Sequence, residues 1–347
     1  MDRECHVSLQ KKDKMKKIFF IAEAGVNHNN QIKLAFKLIN AAKNAGADAI
    51  KFQVFKTENY VARNAPLANY QKKNTKQVNQ FKLIKNLELS ENFLEKIIRY
   101  CKSRKILFLA SAFDTWGIKF LKKRNITTFK IPSGEINNLF YLKEVSKFAK
   151  KIILSTGMSN EKEINNALNF FYKNGINKKQ ITLLQCTTEY PAPYSDLNLN
   201  VIKRFKKKFK VKVGFSDHSI GEVASIIAVS MGASIIEKHL TLSRKLPGPD
   251  HKASIEPKEL KKLIKNIRIA QLSLGHEIKK PTKSELKNIK IARKSIYAKK
   301  KILKGDLFTK KNICKKSPAN GISANKYFKV LGRKAKKNFI EDEKIRL

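Results

Sequence analysis

The sequence predicts a closed (β/α)8 barrel of eight parallel strands, followed by a small separate domain. Short apolar runs typical of buried strands alternate with longer amphipathic segments eight times between residues 18 and 275. Unbroken alternation of this kind is typical of a parallel sheet, because each parallel connection needs a crossover. An open doubly wound sheet is the alternative, but no glycine-rich phosphate motif follows the first strand.

The eight strand–helix units can be assigned in chain order. The predicted strands are Ile18–Ala22, Ala49–Val54, Ile106–Ala110, Thr127–Ile131, Lys151–Ser155, Ile181–Cys186, Val211–Phe215 and Ser234–Glu237. The predicted helices are Gln31–Ala45, Glu91–Ser103, Trp116–Lys123, Leu139–Ala149, Glu161–Asn174, Leu199–Lys208, Gly221–Met231 and Pro257–Leu274. Gly46 and Gly175 provide stop signals for two of these helices, and Ser90 caps another. The stretch Phe55–Leu87 is rich in Asn, Gln and Lys and is predicted to be irregular.

The two ends of the chain differ from the barrel in composition and in sequence pattern. Residues 1–17 are charged and carry no apolar segment, so we expect a disordered extension, with the true start at Met1 or Met15 and no secretory signal. Residues 276–290 are predicted to be a polar linker. Residues 291–347 are predicted to form a small, mostly β domain with strand-like runs at Ser295–Ala298 and Tyr327–Val330.

The charge of the chain is unusual, at +46 from 74 Lys+Arg and 28 Asp+Glu. A basic nucleic-acid-binding scaffold is therefore one hypothesis. The lysines, however, recur in seven of the eight predicted helices without forming an arginine-rich tract, so we expect no nucleic-acid partner. We also expect no membrane contact. The four cysteines lie far apart without a CxxC pair, which predicts a reducing, cytoplasmic location.

Polar residues at the carboxyl ends of the predicted strands indicate an active site, because a (β/α)8, or TIM, barrel builds its site there. Lys51 and Lys130 interrupt otherwise apolar strands, and an unpaired buried ammonium is costly, so both should face a polar site. Together with the hydroxyls of Ser133 and Ser155 they predict a pocket for a doubly or triply charged anion such as a phosphate ester. A Schiff-base aldolase that uses Lys130 is a second possibility.

His218 and His239 end strands seven and eight, so both should emerge at the same edge as Glu23, which ends strand one. Two imidazoles with a few oxygen ligands suit Mn²⁺, or another divalent cation such as Mg²⁺, with open coordination positions. The alternative is two unrelated polar residues.

The chain closely resembles the sialic acid synthase family. The matching segments, in order, are IAEAGVNHN (21–29), AGADAIKFQ (45–53), FKIPSGE (129–135), ILSTGM (153–158), CTTEYPAP (186–193), GFSDHS (214–219), EKHLT (237–241) and GPDH (248–251). The tail is similar to the family's antifreeze-protein-like (SAF) domain. The resemblance implies condensation of phosphoenolpyruvate with the open-chain aldehyde of an N-acyl mannosamine-type sugar, with release of phosphate by C–O cleavage.

The resemblance also implies residue roles. The implied metal ligands are His218 and His239, and Glu23 would contact the metal-bound water or the attacking group. The residues implied to bind phosphoenolpyruvate are Lys51, Lys130, Ser133, Ser155, Gln53 and Ser111. Those implied to contact the sugar are Tyr190, Thr188 and Asp250.

Two departures from the family pattern concern substrate recognition. Thr188 stands where N-acetylneuraminate synthases usually have Asn, which favours the branch that handles 2,4-diacetamido-trideoxy sugars. In the tail, the turn KKSPANG (315–321) places Ser317 where the family has an arginine that reaches into the partner's barrel. Lys316 could supply a point charge there but not a bidentate contact. The resemblance implies a homodimer with exchanged tails.

Overall fold

The computed structural model describes residues 17–75 and 77–347, so most of the predicted N-terminal extension lies outside the described residues. The chain divides into two compact units, the first running to Gly275 and the second from His276 to Leu347.

The first unit is a closed barrel of eight parallel strands, joined in chain order with the eighth pairing back to the first. The strands are β1 (Phe19–Gly25), β2 (Ala49–Val54), β3 (Leu107–Ala112), β4 (Thr128–Ile131), β5 (Lys151–Ser155), β6 (Ile181–Cys186), β7 (Lys212–Asp217) and β8 (Ile235–His239). The predicted fold is confirmed. Four strands end two or three residues later than predicted, because the ladder continues past the apolar run. Glu23, for example, pairs with both Lys51 and His239.

Helices surround the barrel, and most of them bury apolar faces against it. They are α1 (Ile32–Ala45), α2 (Thr57–Tyr60), α3 (Asn69–Asn74), α4 (Gln80–Leu87), α5 (Glu91–Ser103), α6 (Thr115–Lys123), α7 (Leu139–Ser146), α8 (Glu161–Lys173), α9 (Val201–Phe209), α10 (Val223–Ser230) and α11 (Pro257–Leu274). The stretch predicted to be irregular contains the three short helices α2 to α4. The irregular prediction was wrong there because the apolar residues of this stretch are scattered along the sequence and are brought together only by tertiary contacts. Leu83 and Leu87, for example, pack against Val26.

Side chains that point into the barrel form two layers, because alternate residues of a strand face the same side. The inner layer is apolar and comprises Ile21, Ala49, Leu109, Ile153, Leu184 and Ile235. Two residues further along these strands lies a polar layer, which comprises Glu23, Lys51, Ser111, Ser155, Cys186 and Glu237. The apolar layer therefore closes the floor of the barrel, and the polar layer faces its carboxyl-terminal mouth.

The second unit has its own small core and contains α12 (Lys283–Ala292), β9 (Ser295–Ala298), β10 (Ile313–Lys316) and α13 (Tyr327–Val330). β9 and β10 are antiparallel. α12 begins within the stretch predicted to be a linker. The strand prediction for 327–330 was also wrong: Tyr327 and Val330, three residues apart on one helical face, are buried, whereas Phe328 is exposed.

None of the helices in the described part of the chain is long and apolar enough to cross a membrane.

Candidate active site

A cavity of about 460 Å³ opens at the carboxyl-terminal mouth of the barrel. Twelve of the thirteen site residues predicted from the sequence line it: Glu23, Lys51, Gln53, Ser111, Lys130, Ser133, Ser155, Thr188, Tyr190, His218, His239 and Asp250. The thirteenth, Lys316, belongs to the second unit, where its ammonium pairs with the carboxylate of Asp342.

The floor of the cavity holds two lysines and two carboxylates, all almost fully buried. Lys51 Nζ lies 3.1 Å from Glu23 Oε2 and 3.5 Å from Glu237 Oε1. Lys130 Nζ lies 3.4 Å from the same oxygen of Glu237. One carboxylate therefore balances two ammonium groups, and Lys51 also donates to Ser111 Oγ at 3.1 Å.

The two carboxylates have opposite pKa shifts. Burial raises the pKa of Glu23 to about 7, against the opposing effect of Lys51. Burial also disfavours ionised Glu237, but the charges of Lys130 and Lys51 outweigh it and lower the pKa of Glu237. Burial lowers the pKa of Lys130, and Glu237 partly opposes that shift. Glu237 is therefore the permanent counter-charge of the lysines, whereas Glu23 can exchange a proton near neutral pH.

Hydroxyl and amide groups line the wall next to Lys130. The backbone N–H of Gly157 donates to Ser133 Oγ at 2.9 Å and lies 3.1 Å from Cys186 Sγ. A Cβ at Gly157 would come within 2.2 Å of Thr188 Oγ1, so only glycine allows these loops to approach so closely. Ser155 Oγ is buried and has no hydrogen-bond partner among the described residues. It is free to donate to a ligand.

His218 and His239 also line the cavity, with ring centroids 5.6 Å apart. His218 Nδ1 lies 2.6 Å from the carbonyl oxygen of Thr187, which can only accept, so this nitrogen carries the proton. His218 Nε2 lies 3.3 Å from Ser216 Oγ, but that hydroxyl donates its hydrogen to Glu237 Oε1 at 3.0 Å. The lone pair of Nε2 is consequently available to a ligand.

His239 is also suited to bind a ligand. Its Nδ1 is buried and lacks a hydrogen-bond partner within the described ranges. Burial lowers the pKa of His218 to about 4 and that of His239 well below its usual value, so both rings stay neutral. The ring of Tyr190 packs against both, with centroids 4.3 Å from His218 and 5.5 Å from His239.

Among residues 17–75 and 77–347, no group of three or more His, Cys, Asp or Glu side chains could hold a metal ion. Any ion at the histidines would therefore have two protein nitrogen ligands and would leave further positions to substrate and water.

Apolar and aromatic side chains also line the cavity, among them Val26, Tyr60, Ile84 and Phe113. Tyr60 belongs to α2 and Ile84 to α4, and the rings of Tyr60 and Phe113 have centroids 4.8 Å apart. Asp250 lies in the loop after β8, and burial raises its pKa to about 6.

Glu237 is the main site residue that the sequence reasoning left without a role. The alternation of side chains along a strand could have identified it. Glu237 stands two residues before His239 in the same strand, so both side chains face the interior of the barrel. Cys186 and Ser216 also line the cavity and follow the same rule.

The mouth of the barrel therefore contains two lysine ammonium groups and two neutral imidazoles in one cavity. Such a site suits an enzyme that adds an anionic substrate to a carbonyl group. Residues 38–279 match the NeuB family, and residues 293–347 match the SAF domain. The chain belongs to the NeuB family. The predicted class, a phosphoenolpyruvate-dependent sialic acid synthase that forms a carbon–carbon bond, and the predicted C-terminal SAF domain are both confirmed.

Individual relatives cover nearly the whole chain. N,N'-diacetyllegionaminic acid synthase of Campylobacter jejuni is 50% identical over 96% of this chain and 100% of its own length. The Legionella pneumophila protein of the same name is 39% identical over 92% of this chain and 91% of its own. The crystal structure of N-acetylneuraminic acid synthetase from Leptospira borgpetersenii aligns with a TM-score of 0.68 and 34% identity, over 79% of this chain and 90% of that one.

Proposed function

We propose that the chain makes N,N'-diacetyllegionaminate from phosphoenolpyruvate and the open-chain form of 2,4-diacetamido-2,4,6-trideoxymannose. The enol carbon of phosphoenolpyruvate forms a bond to the aldehyde carbon, water adds to the resulting cationic carbon, and phosphate leaves by C–O cleavage. The observation that carries the proposal is a single cavity lined by two buried lysines, two neutral histidines and several apolar side chains. The two relatives named for this product, at 50% and 39% identity, support the choice of sugar.

Lys51 and Lys130 bind the phosphate and carboxylate groups of phosphoenolpyruvate in this proposal, with Ser111, Ser133 and Ser155. Buried ammonium groups form strong, short contacts to anionic oxygens. The unpartnered hydroxyl of Ser155 supports the assignment, because a buried donor of this kind needs an acceptor. Gln53 lines the same cavity and completes the anion subsite.

His218 and His239 hold a divalent cation, which we propose to be Mn²⁺. The free Nε2 of His218 and the neutral ring of His239 line one cavity and fit such an ion, and the remaining positions would be left to oxygen ligands, which suit Mn²⁺. A bound divalent cation acts as a Lewis acid that polarises and orients the aldehyde oxygen of the sugar. Glu23 lies next to His239 in the β1–β8 ladder, and its raised pKa suits a group that moves a proton on the water that adds.

In this proposal the sugar occupies the part of the cavity beside the histidines, next to apolar side chains of its lining. Tyr190, Thr188 and Asp250 are proposed to contact its polar groups. A trideoxy sugar carries a methyl group where N-acetylmannosamine has a hydroxymethyl group, and burial of that methyl against Ile84 and Phe113 favours the deoxy substrate.

We further propose that residues 18–275 carry the catalysis in a cytoplasmic homodimer with exchanged tails. Large apolar side chains are exposed at the first turns of α7 and α10 and in the loop after β5, including Phe140, Val223 and Met158, which supports an interface there. Lys316 is the residue of the tail proposed to reach a partner's site.

A substrate panel tests the proposal. Purified protein is incubated with phosphoenolpyruvate, Mn²⁺ and either N-acetylmannosamine or the 2,4-diacetamido-trideoxy sugar, and phosphate release and product mass are measured. We expect rapid turnover of the diacetamido sugar, no phosphate release without sugar or metal, and loss of activity in His239→Ala. Faster turnover of N-acetylmannosamine would reject the sugar assignment, and full activity of His239→Ala would reject the metal assignment.

A further inference from the structure

A buried ion pair lies directly behind the two candidate metal ligands, on the outer face of the barrel wall. Asp217 precedes His218 in the chain, and Lys238 precedes His239. The β7–β8 register pairs Asp217 with Lys238. Lys238 Nζ lies 2.9 Å from Asp217 Oδ2, and the two side chains are 2% and 0% exposed. Because neighbouring strand residues face opposite sides, the histidines point into the cavity and the ion pair points towards the helix layer.

Hydrogen bonds extend this ion pair into the loop after β7. Asp217 Oδ1 accepts from the backbone N–H of Ser219 at 2.9 Å and from its hydroxyl at 2.6 Å. Asp217 Oδ2 accepts from Ser225 Oγ, on α10, at 2.6 Å. Lys238 donates to the carbonyl oxygen of Ser219 at 2.7 Å. The ends of β7 and β8, the loop after β7 and α10 are thereby all bonded to the same ion pair.

This network holds backbone on either side of His218 and next to His239. His218 lies between Asp217 and Ser219, so the residues on both sides of it are held. His239 Nδ1 has no hydrogen-bond partner in the described part of the chain, so the backbone next to Lys238 has the larger share in placing that ring.

We propose that Asp217 and Lys238 form a clamp that sets the separation of His218 and His239 and thereby the affinity of the site for a divalent cation. The two residues are positioning residues and do not touch the ion. The inference rests on the proposed metal site.

A role in stability alone does not account for the arrangement. A buried ion pair adds little stability over well-packed apolar side chains of the same volume, whereas it restricts geometry strongly. Groups that orient metal ligands from the second layer change metal affinity by about 10- to 100-fold when they are removed. The clamp acts on both ligands at once, so an effect of this size is expected.

The test measures binding of Mn²⁺ alone to the full-length apoprotein, by the loss of the free-ion electron paramagnetic resonance signal. The main variant is Asp217→Asn/Lys238→Met, which removes both charges with little change in volume and leaves no unpaired charge. We expect its Kd for Mn²⁺ to rise about 10- to 100-fold. The milder variant Ser225→Ala removes one hydrogen bond to Asp217 and should raise the Kd about 2- to 10-fold.

The control is Asp48→Asn/Arg268→Met, an ion pair that is less buried, with side chains 18% and 23% exposed. This pair, also 2.9 Å apart, lies near the amino-terminal ends of β1 and β2, at the opposite end of the barrel. Its removal should leave the Kd for Mn²⁺ unchanged. Thermal unfolding of all variants shows whether each is folded, and if the main double variant is not, Ser225→Ala decides the question.

The outcomes separate the clamp from the metal site on which it rests. If the wild type binds Mn²⁺ and His239→Ala does not, but the folded clamp variants bind within twofold of the wild type, the clamp is refuted and the proposed function stands. If the wild type binds no Mn²⁺, or His239→Ala binds as the wild type does, the metal site fails and the clamp fails with it. An equal loss of affinity in the Asp48/Arg268 control would also overturn the clamp, because any destabilisation would then suffice.

Discussion

Replacement of Glu237 by Gln tests whether the Glu237 carboxylate is the counter-charge of the two lysines at the cavity floor. Glu237 Oε1 lies 3.5 Å from Lys51 Nζ and 3.4 Å from Lys130 Nζ, with all three groups buried. At an effective dielectric constant of about 20, each attraction is worth about 5 kcal/mol before desolvation is counted. Because removal of one partner from a buried ion pair typically costs about 3–5 kcal/mol, we expect the free energy of unfolding of Glu237→Gln to fall by that amount.

Phosphoenolpyruvate should reverse part of this loss. Glu237 competes with a bound anion for the same two ammonium groups, so the variant should bind phosphoenolpyruvate more tightly than the wild type. A tenfold tighter Kd would add about 1.4 kcal/mol of ligand-induced stability at saturating concentration. Urea unfolding followed by circular dichroism, with and without phosphoenolpyruvate and in the absence of sugar and metal, measures both effects.

Glu161→Gln is the matched control, because Glu161 also faces two cations, Arg204 and Lys208, but does so at the surface. Solvent screens such pairs, so its loss should change stability little and should not alter the response to phosphoenolpyruvate. Equal unfolding free energies for Glu237→Gln and the wild type, or weaker stabilisation of the variant by phosphoenolpyruvate, would refute the assigned role of Glu237.

Three further predictions concern the lysines and the buried histidines. Lys130→Met should raise the Kd for phosphoenolpyruvate about 10- to 100-fold, as measured by calorimetry, since a hydrogen bond to a charged group is worth about 1.5–3 kcal/mol; unchanged affinity would place the anion elsewhere. Borohydride treatment with pyruvate should leave the mass of the protein unchanged, because a synthase of this family needs no imine at Lys130, and a labelled lysine would instead support the aldolase. Burial lowers the pKa of His28 to about 3 and of His218 to about 4, so each takes up a proton on unfolding below its unfolded pKa of about 6.5. His239, whose pKa is also lowered, acts in the same direction, whereas the raised pKa values of Glu23 and Asp250 act in the opposite one. Because the lowered histidines outnumber the raised carboxyl groups, the free energy of unfolding of the apoprotein should fall as the pH falls from about 6.5 to 4, by about 1.4 kcal/mol per pH unit for each histidine in excess, and a rise in stability during acid denaturation would contradict this.

The fold was accessible from the sequence because the barrel strands are short, buried and strongly apolar. The boundaries of β2, β5 and β6 coincide with the apolar runs. The errors fall where that signal fades. Strand ends with inward polar residues were set too early, and Tyr327–Val330 was assigned as a strand although its buried residues are three apart. A four-residue run holds too little periodicity to separate a strand from a helical turn.

Twelve of the thirteen predicted site residues share one cavity for a simple reason: parallel strands bring their carboxyl ends to the same edge, whatever their distance along the chain. The partners of these residues were not accessible in the same way. That Lys51 and Lys130 share Glu237, and that Asp217 pairs with Lys238 outside the wall, depends on the barrel's curvature and register.

The sequence by itself determined the order of strands and helices, which polar residues of the strands face the interior of the barrel, and the family of the chain. These follow from local periodicity and from motifs that are contiguous in the chain. Only the tertiary structure decided the electrostatics: which carboxylate stays ionised, which nitrogen of His218 keeps its lone pair, and which buried donor lacks an acceptor. Those properties arise from burial and from distances of 3–4 Å between residues far apart in sequence, and periodicity carries no information about either.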